Sequence, residues 1–151
     1  KPFGIRAMDS MRLEKSYRLI PREMSIEYSA FESGLDRFIR LDKEANFIGK
    51  DALVEWQQRG SDNGFVTIEV LGVVDADARG SEAIYKDGEV VGRGTSGGYG
   101  WRCGKSLALG LVRVDLAKIG TELEIEILGK KYQAIVIEES PFDPTNECLR
   151  S

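Results

Sequence analysis

Residues 121–139 read TELEIEILGKKYQAIVIEE. In the first half Leu123, Ile125 and Ile127 alternate with Glu122, Glu124 and Glu126, a period of two that gives a strand one apolar and one wet face. Gly129-Lys130 then separates EIEIL from KYQAIVIEE, as a tight turn between paired strands would. The same pattern recurs upstream. Val66, Ile68 and Val70 alternate with Thr67, Glu69 and Leu71, and Asp87-Gly88 stands between EAIYK and EVVGR. Asp-Gly is a strong hairpin signal because glycine accepts the positive φ of a type I′ turn. About six short strands fit between residues 64 and 140. They predict a small antiparallel β-barrel, in which closure hides strand edges that would otherwise pair with other chains.

The first sixty residues read differently. GIRAMDSMRLEKS (4–16) lacks proline and carries Ile5, Met8 and Met11 at three-residue spacing, which predicts a helix with those residues on its buried face. Pro21 stops any continuation, and Glu23 to Ser29 reads as a polar connection. LDRFIRL (35–41), branched and aromatic, predicts a strand running into a loop at Asp42-Lys43-Glu44. FIGKDALVEWQQ (47–58) predicts a helix presenting Ala52, Leu53 and Trp56, with Gly60 as its stop. Ser61-Asp62-Asn63-Gly64 is the best boundary, giving units of 1–60 and 61–151 and an α+β fold class.

Composition narrows the chemistry. The 151 residues are 42% hydrophobic, with 17 glycines against 4 prolines, enough for a real core rich in turns. A net charge of -4 and a pI near 5.0 give no broad field for gathering phosphates, so nucleic acid is not an expected partner. Histidine is absent, which removes the residue that completes a Ser-His-Asp relay and the commonest nitrogen ligand of a transition metal. Cys103 and Cys148 lack a Cys-x-x-Cys spacing and read as buried or incidental thiols in a reducing compartment. No apolar run approaches the roughly 20 residues needed to span a bilayer, and no membrane partner is expected. The opening Lys1-Pro2-Phe3-Gly4, without an initiator Met or signal-peptide core, reads as a cut inside a longer protein.

Gly92-Arg93-Gly94-Thr95-Ser96-Gly97 matches G-x-G-x-x-G, yet Gly98-Tyr99-Gly100-Trp101 follows where a helix would have to begin. A glycine-rich turn between barrel strands is therefore expected in place of a dinucleotide site. Tyr99 and Trp101 either cap the barrel or stack on a flat ligand. Phe47-Ile48-Gly49-Lys50 lacks the upstream glycine of a phosphate loop and reads as a helix entry, and Glu122, Glu124 and Glu126 as a solvated strand face.

Four blocks carry a family resemblance: RAMDSMRLEKSYR, FESGLDRFIRLDKEANFIGKDAL, DGEVVGRGTSGGYG and SPFDPTN. In this order, from about Gly4 to Asn146, they resemble the T-protein superfamily of aminomethyltransferases. Ala7 to Lys15 and the ending Ser140 to Pro144 look most like its sarcosine and dimethylglycine dehydrogenases and related oxidases. The resemblance implies a parent enzyme whose FAD-binding N-terminal half oxidises an N-methyl group and whose C-terminal half passes the carbon to tetrahydrofolate. It implies a small N-methylated amino acid as substrate, and three lobes around a central folate cavity. Residues 1–60 would be the end of the folate-binding lobe and 61–151 the barrel lobe, with the upstream lobes of the same chain as partners. The compartment implied is the cytoplasm, or the mitochondrial matrix in a eukaryote. A noncatalytic docking scaffold and a folate-dependent sulfonium-compound demethylase are the alternatives.

Site residues are implied on the same terms. T-proteins place a folate-holding arginine where this chain has Met8, and a thioether does not replace a bidentate contact. Tyr17 matches a tyrosine suited to a half-buried pterin or aminobenzoyl group. Arg12 is a further folate contact or, alternatively, the partner of Glu14 or Asp9 in a structural ion pair. Glu147 replaces the tyrosine of a PTN-Y ending. The catalytic aspartate belongs to a lobe upstream, so the resemblance assigns no catalytic residue here and implies a fragment inactive by itself.

Overall fold

In the computed structural model, which describes residues 2–151, the alternating segments close into a six-stranded barrel. Lys1, the expected point of the cut, lies outside the described residues. Helix α1 (Ile5–Glu14) and α2 (Lys50–Arg59) precede strands β1 (Asn63–Val70), β2 (Ala83–Lys86), β3 (Glu89–Gly100), β4 (Lys105–Arg113), β5 (Glu122–Ile127) and β6 (Lys130–Ile137), and a short α3 (Glu147–Arg150) follows. Spatial order is β1-β4-β3-β2-β5-β6, all neighbours antiparallel. The pairing of Thr67 with Ile137 through Val70 with Ala134 joins β6 back to β1 and removes the edges.

Inside the barrel Ile68, Ile84, Ala108, Ile125 and Val136 form one core. Each buried branched side chain contributes about 1.5–3 kcal/mol over its exposed state. Strand β5 keeps the alternation its sequence predicts, with Leu123, Ile125 and Ile127 buried. β4 is buried along nearly its whole length because its outer face is covered too: Leu107 and Leu109 pack against Leu13 of α1, with Phe65 and Ile137 beside them. Asp87 and Gly88 take φ of 52° and 84°, as the type I′ turn requires. The second hairpin turns one residue earlier than expected, on Leu128 and Gly129 with φ of 50° and 76°.

Several expectations fail for identifiable reasons. The α1 face carrying Ile5, Met8 and Met11 is exposed, and the helix buries Leu13 and Glu14. Three-residue steps fall short of the 3.6-residue turn, so those positions sweep round the helix, while only its last turn meets the barrel. Residues 35–41 form no strand; Asp36–Phe38 is a 3-10 turn, because a closed barrel offers no edge for an added strand. Thr67, expected on a wet face, is buried and shares a 2.7 Å hydrogen bond with the Ser16 hydroxyl. Gly92 to Gly97 is no turn but the middle of β3. A Cβ on Gly92 would lie 2.3 Å from the Leu111 carbonyl oxygen, and one on Gly97 2.4 Å from that of Ala78, so the glycines serve close backbone approach. Helix α2 starts and stops as predicted, with Gly60 at its C-cap, but Ala52 is exposed and only Leu53 and Trp56 of the predicted face are half-buried.

Arg18 fastens the N-terminal segment to the barrel. Its guanidinium lies 3.8 Å over the Phe65 ring, donates to the Ser33 and Gly34 carbonyls and pairs with Glu139. The C-terminal segment closes over the same place, where the Lys15 ammonium donates to the Asp143 carbonyl at 2.5 Å and to Asn146 Oδ1 at 2.7 Å.

Candidate functional site

The last turn of α1 and the loop after it gather three charged side chains beside the barrel. Glu14 is buried, and its Oε1 accepts the backbone N–H of Arg102 at 2.5 Å and of Cys103 at 3.2 Å, holding the β3–β4 loop against the helix. Glu23 is fully buried in what reads as a polar connection. It accepts the hydroxyls of Thr95 at 2.6 Å and Ser96 at 2.5 Å and the Leu19 N–H at 2.8 Å. Arg12 stands 3.7 Å from Glu23, pairs with Asp9 at 2.7 Å and donates to the Tyr17 carbonyl at 2.8 Å. Such donors replace the water hydrogen bonds that a carboxylate loses on burial.

Of the residues singled out in the sequence, Arg12 and Tyr17 are brought together through that hydrogen bond. Tyr17 is 49% exposed and Met8, one turn back from Arg12, is also 49% exposed. Arg12 by contrast has its guanidinium committed to Asp9, Glu23 and the Tyr17 carbonyl. Glu147 opens α3 and is exposed; its backbone N–H donates to Asp143 at 2.7 Å, which links it to the Lys15 cluster and not to Tyr17.

A cleft of about 430 Å³ runs between α1 and β3. Arg6, Asp9 and Ser10 of α1 form one side, Arg22, Asp77 and Arg79 come from two loops, and Gly97, Gly98, Tyr99 and Trp101 close the other side. The two aromatic rings meet edge to face, centroids 4.9 Å apart and planes at 72°. A second cleft of about 250 Å³ adjoins it, sharing Arg22 and Arg79. Tyr99 and Trp101 thus line a surface cleft, and Trp101 is 80% exposed. Sequence reasoning missed Glu23, Arg18, Arg22 and Arg79, whose partners lie far away along the chain; the one local signal was a Thr-Ser pair inside an otherwise glycine-rich strand.

Nothing in this neighbourhood is built as a nucleophile or metal centre. Burial, and then the Glu14 carboxylate, push the Cys103 thiol above its ordinary pKa, with Lys105 opposing, which keeps it in its weakly nucleophilic form. Among the described residues no group of three or more His, Cys, Asp or Glu is placed to hold a metal ion. No helix among them is long and apolar enough to cross a membrane.

A family model described as the glycine cleavage T-protein C-terminal barrel domain matches residues 64–143, and one described as the GCVT N-terminal domain matches residues 1–43. Mitochondrial dimethylglycine dehydrogenase of Homo sapiens is 42% identical over 150 residues, covering 98% of this chain and 17% of that protein. An aminomethyltransferase of Synechocystis is 36% identical over 138 residues, covering 91% of the chain and 37% of that enzyme. The crystal structure of glycine cleavage system aminomethyltransferase T from Bartonella henselae superposes with a TM-score of 0.85 at 26% identity, over 93% of this chain and 39% of that one. The chain therefore spans well under half the length of each of these relatives.

Proposed function

The chain belongs to the glycine cleavage T-protein family, and we propose that it forms one wall of a tetrahydrofolate site in an enzyme that moves a one-carbon unit from a small N-methylated amino acid to that acceptor. What supports the donor class is the 42% identity to a dimethylglycine dehydrogenase, beside 36% to an aminomethyltransferase. In this reading residues 1–60 end the folate-binding lobe, residues 61–151 are the barrel lobe, and the upstream lobes complete the cavity. An FAD-binding half belongs upstream in the dehydrogenase-like form.

The observation that carries the proposal is that Met8 and Tyr17, both on the segment that the N-terminal family model matches, are each half-exposed. These residues fit a flat, partly apolar ligand: Tyr17 offers a ring face and a hydroxyl with no protein partner among the described residues, and Met8 a polarizable thioether. Arg12 holds the backbone at Tyr17 through its carbonyl and does not itself reach outward. Glu147 lies with the C-terminal cluster, where it would border the ligand only at its rim. Tetrahydrofolate, when bound, supplies the nucleophilic nitrogen that accepts the carbon; this chain binds and orients it.

Calorimetry of tetrahydrofolate with the full-length protein tests the proposal. Tyr17→Ala is expected to weaken binding about ten-fold, near 1.4 kcal/mol, and Met8→Arg to strengthen it. Absence of binding, or binding indifferent to Tyr17, would reject it.

A further inference from the structure

Met8, Tyr17 and Glu147 do not line the cleft between α1 and β3. Its charge is unusual for a chain of net charge -4. Among the described residues the arginines in ion pairs are Arg12, Arg18, Arg40, Arg59, Arg93 and Arg113. Arg6, Arg22 and Arg79, the three that line the cleft, are not among them. Arg22 donates to the Arg79 carbonyl at 3.3 Å, which brings the two loops together. Of the facing carboxylates, Asp9 is committed to Arg12 and only Asp77 stands unpaired among the described residues. Glu82 is close by but turned to the backbone, accepting the N–H groups of Arg79 and Gly80, each at 2.7 Å. Counting Arg6, Arg22 and Arg79 against Asp77 and the nearby Glu82 leaves a surplus of one positive charge over the cleft.

The other end of the cleft is flat and apolar. Trp101, 80% exposed, stands edge to face with Tyr99, whose carbonyl is fixed by the Ser10 hydroxyl at 2.7 Å. Glu14 pins the backbone just beyond, at Arg102, so the aromatic pair is held on a braced loop. Gly97 and Gly98 keep the floor free of side chains. A concave site of this size with an aromatic wall and a few convergent polar groups has the usual anatomy of a small-molecule pocket.

We propose that this cleft binds a ligand in which a planar ring is joined to an anionic group, the ring against Trp101 and Tyr99 and the anion between Arg22 and Arg79. A guanidinium pair grips phosphate and carboxylate alike through paired N–H donors, so the shared chemistry is a ring-bearing oxyanion. The site is separate from the folate wall and stands or falls independently of it.

The test uses this chain carrying Trp56→Phe, which leaves Trp101 as its only tryptophan. Adenosine monophosphate and N-benzoylglutamate are titrated at low ionic strength while tryptophan emission is followed. Saturable quenching by at least one is expected, and which one binds separates phosphate from carboxylate recognition. Adenosine and inorganic phosphate, each lacking one half, are expected to bind at least ten-fold more weakly. Arg22→Gln with Arg79→Gln is expected to weaken binding at least ten-fold, with the fold checked by circular dichroism. Raising salt to about 0.5 M reads the same charge dependence without a variant and is expected to weaken binding several-fold. The proposal is overturned if neither ring-anion saturates the signal, if adenosine or phosphate alone binds as well, or if charge removal and salt leave the affinity unchanged.

Discussion

The Thr95 hydroxyl donates to Glu23 Oε1 at 2.6 Å, joining a loop residue to a barrel strand 72 positions along the chain. Neither side chain reaches water to any useful extent: Glu23 is 0% exposed and Thr95 6%. The bond, with those from Ser96 and the Leu19 N–H, ties the segment after α1 to the strand that floors the cleft.

Glu23→Ala therefore strands the Ser96 hydroxyl, one amide and part of the Arg12 charge, and leaves the Thr95 hydroxyl only the Leu109 carbonyl at 3.1 Å. Breaking such a buried arrangement costs about 3–5 kcal/mol, a fall in Tm on the order of 10 °C at roughly 2–4 °C per kcal/mol. Glu23→Gln keeps the volume and an acceptor, and is expected to lose only about 1–2 kcal/mol. Thermal unfolding of both variants checks the order; equal stability of the alanine variant and the parent chain would show that the tie is dispensable.

Glu32 predicts an acid limb. Burial alone would raise its pKa, but hydrogen bonds from the Ser29 backbone, the Asn63 amide, the Ser29 hydroxyl and the Asn63 backbone outweigh it and hold the carboxyl below its ordinary value. A carboxylate depressed in the folded state contributes stability that is complete above its unfolded pKa and is lost as pH falls through the folded one. The loss thus begins below about pH 4.3, the unperturbed glutamate value, and Glu32→Gln should flatten the stability curve there while leaving the neutral-to-basic side parallel to the parent. Urea unfolding at a series of pH values reads this directly. An unchanged acid slope would assign the limb to other groups.

Gly97 tests the close approach under the cleft. An alanine Cβ there would meet the Ala78 carbonyl oxygen at 2.4 Å, so Gly97→Ala must push the loop that carries Asp77 and Arg79. Overpacking of this kind costs about 1–3 kcal/mol. At Gly104 φ is 65° and a Cβ would find no atom within 4 Å, so Gly104→Ala meets only backbone strain and should lose about 1 kcal/mol. Denaturant midpoints at constant m separate the two, and a Gly97→Ala chain as stable as the parent would show that the loop yields freely.

The barrel was legible because its code is local. Alternation along residues 122–127 and the Asp87-Gly88 turn each lie within a few residues, and the pleat and the turn dihedrals read them directly. Ordered blocks of sequence also carried the family. Residues 35–41 and the Met8–Met11 face misled because strand propensity and helical spacing state what a segment can present, while a free edge or a facing wall decides whether it is used. Met8 and Tyr17 were named from the sequence, and their half-exposure came from the fold.

Sequence alone thus determined where the chain alternates, turns and begins its helices, since those are contests between neighbouring residues. Tertiary structure decided which charges are buried and which are left free. Glu23 and Arg22 stand next to each other in the chain, yet Glu23 is sealed against Thr95 and Ser96 while Arg22 lines an open cleft. Desolvation and hydrogen-bond satisfaction are set by partners 72 and 73 residues away, and no local pattern of residue types records them.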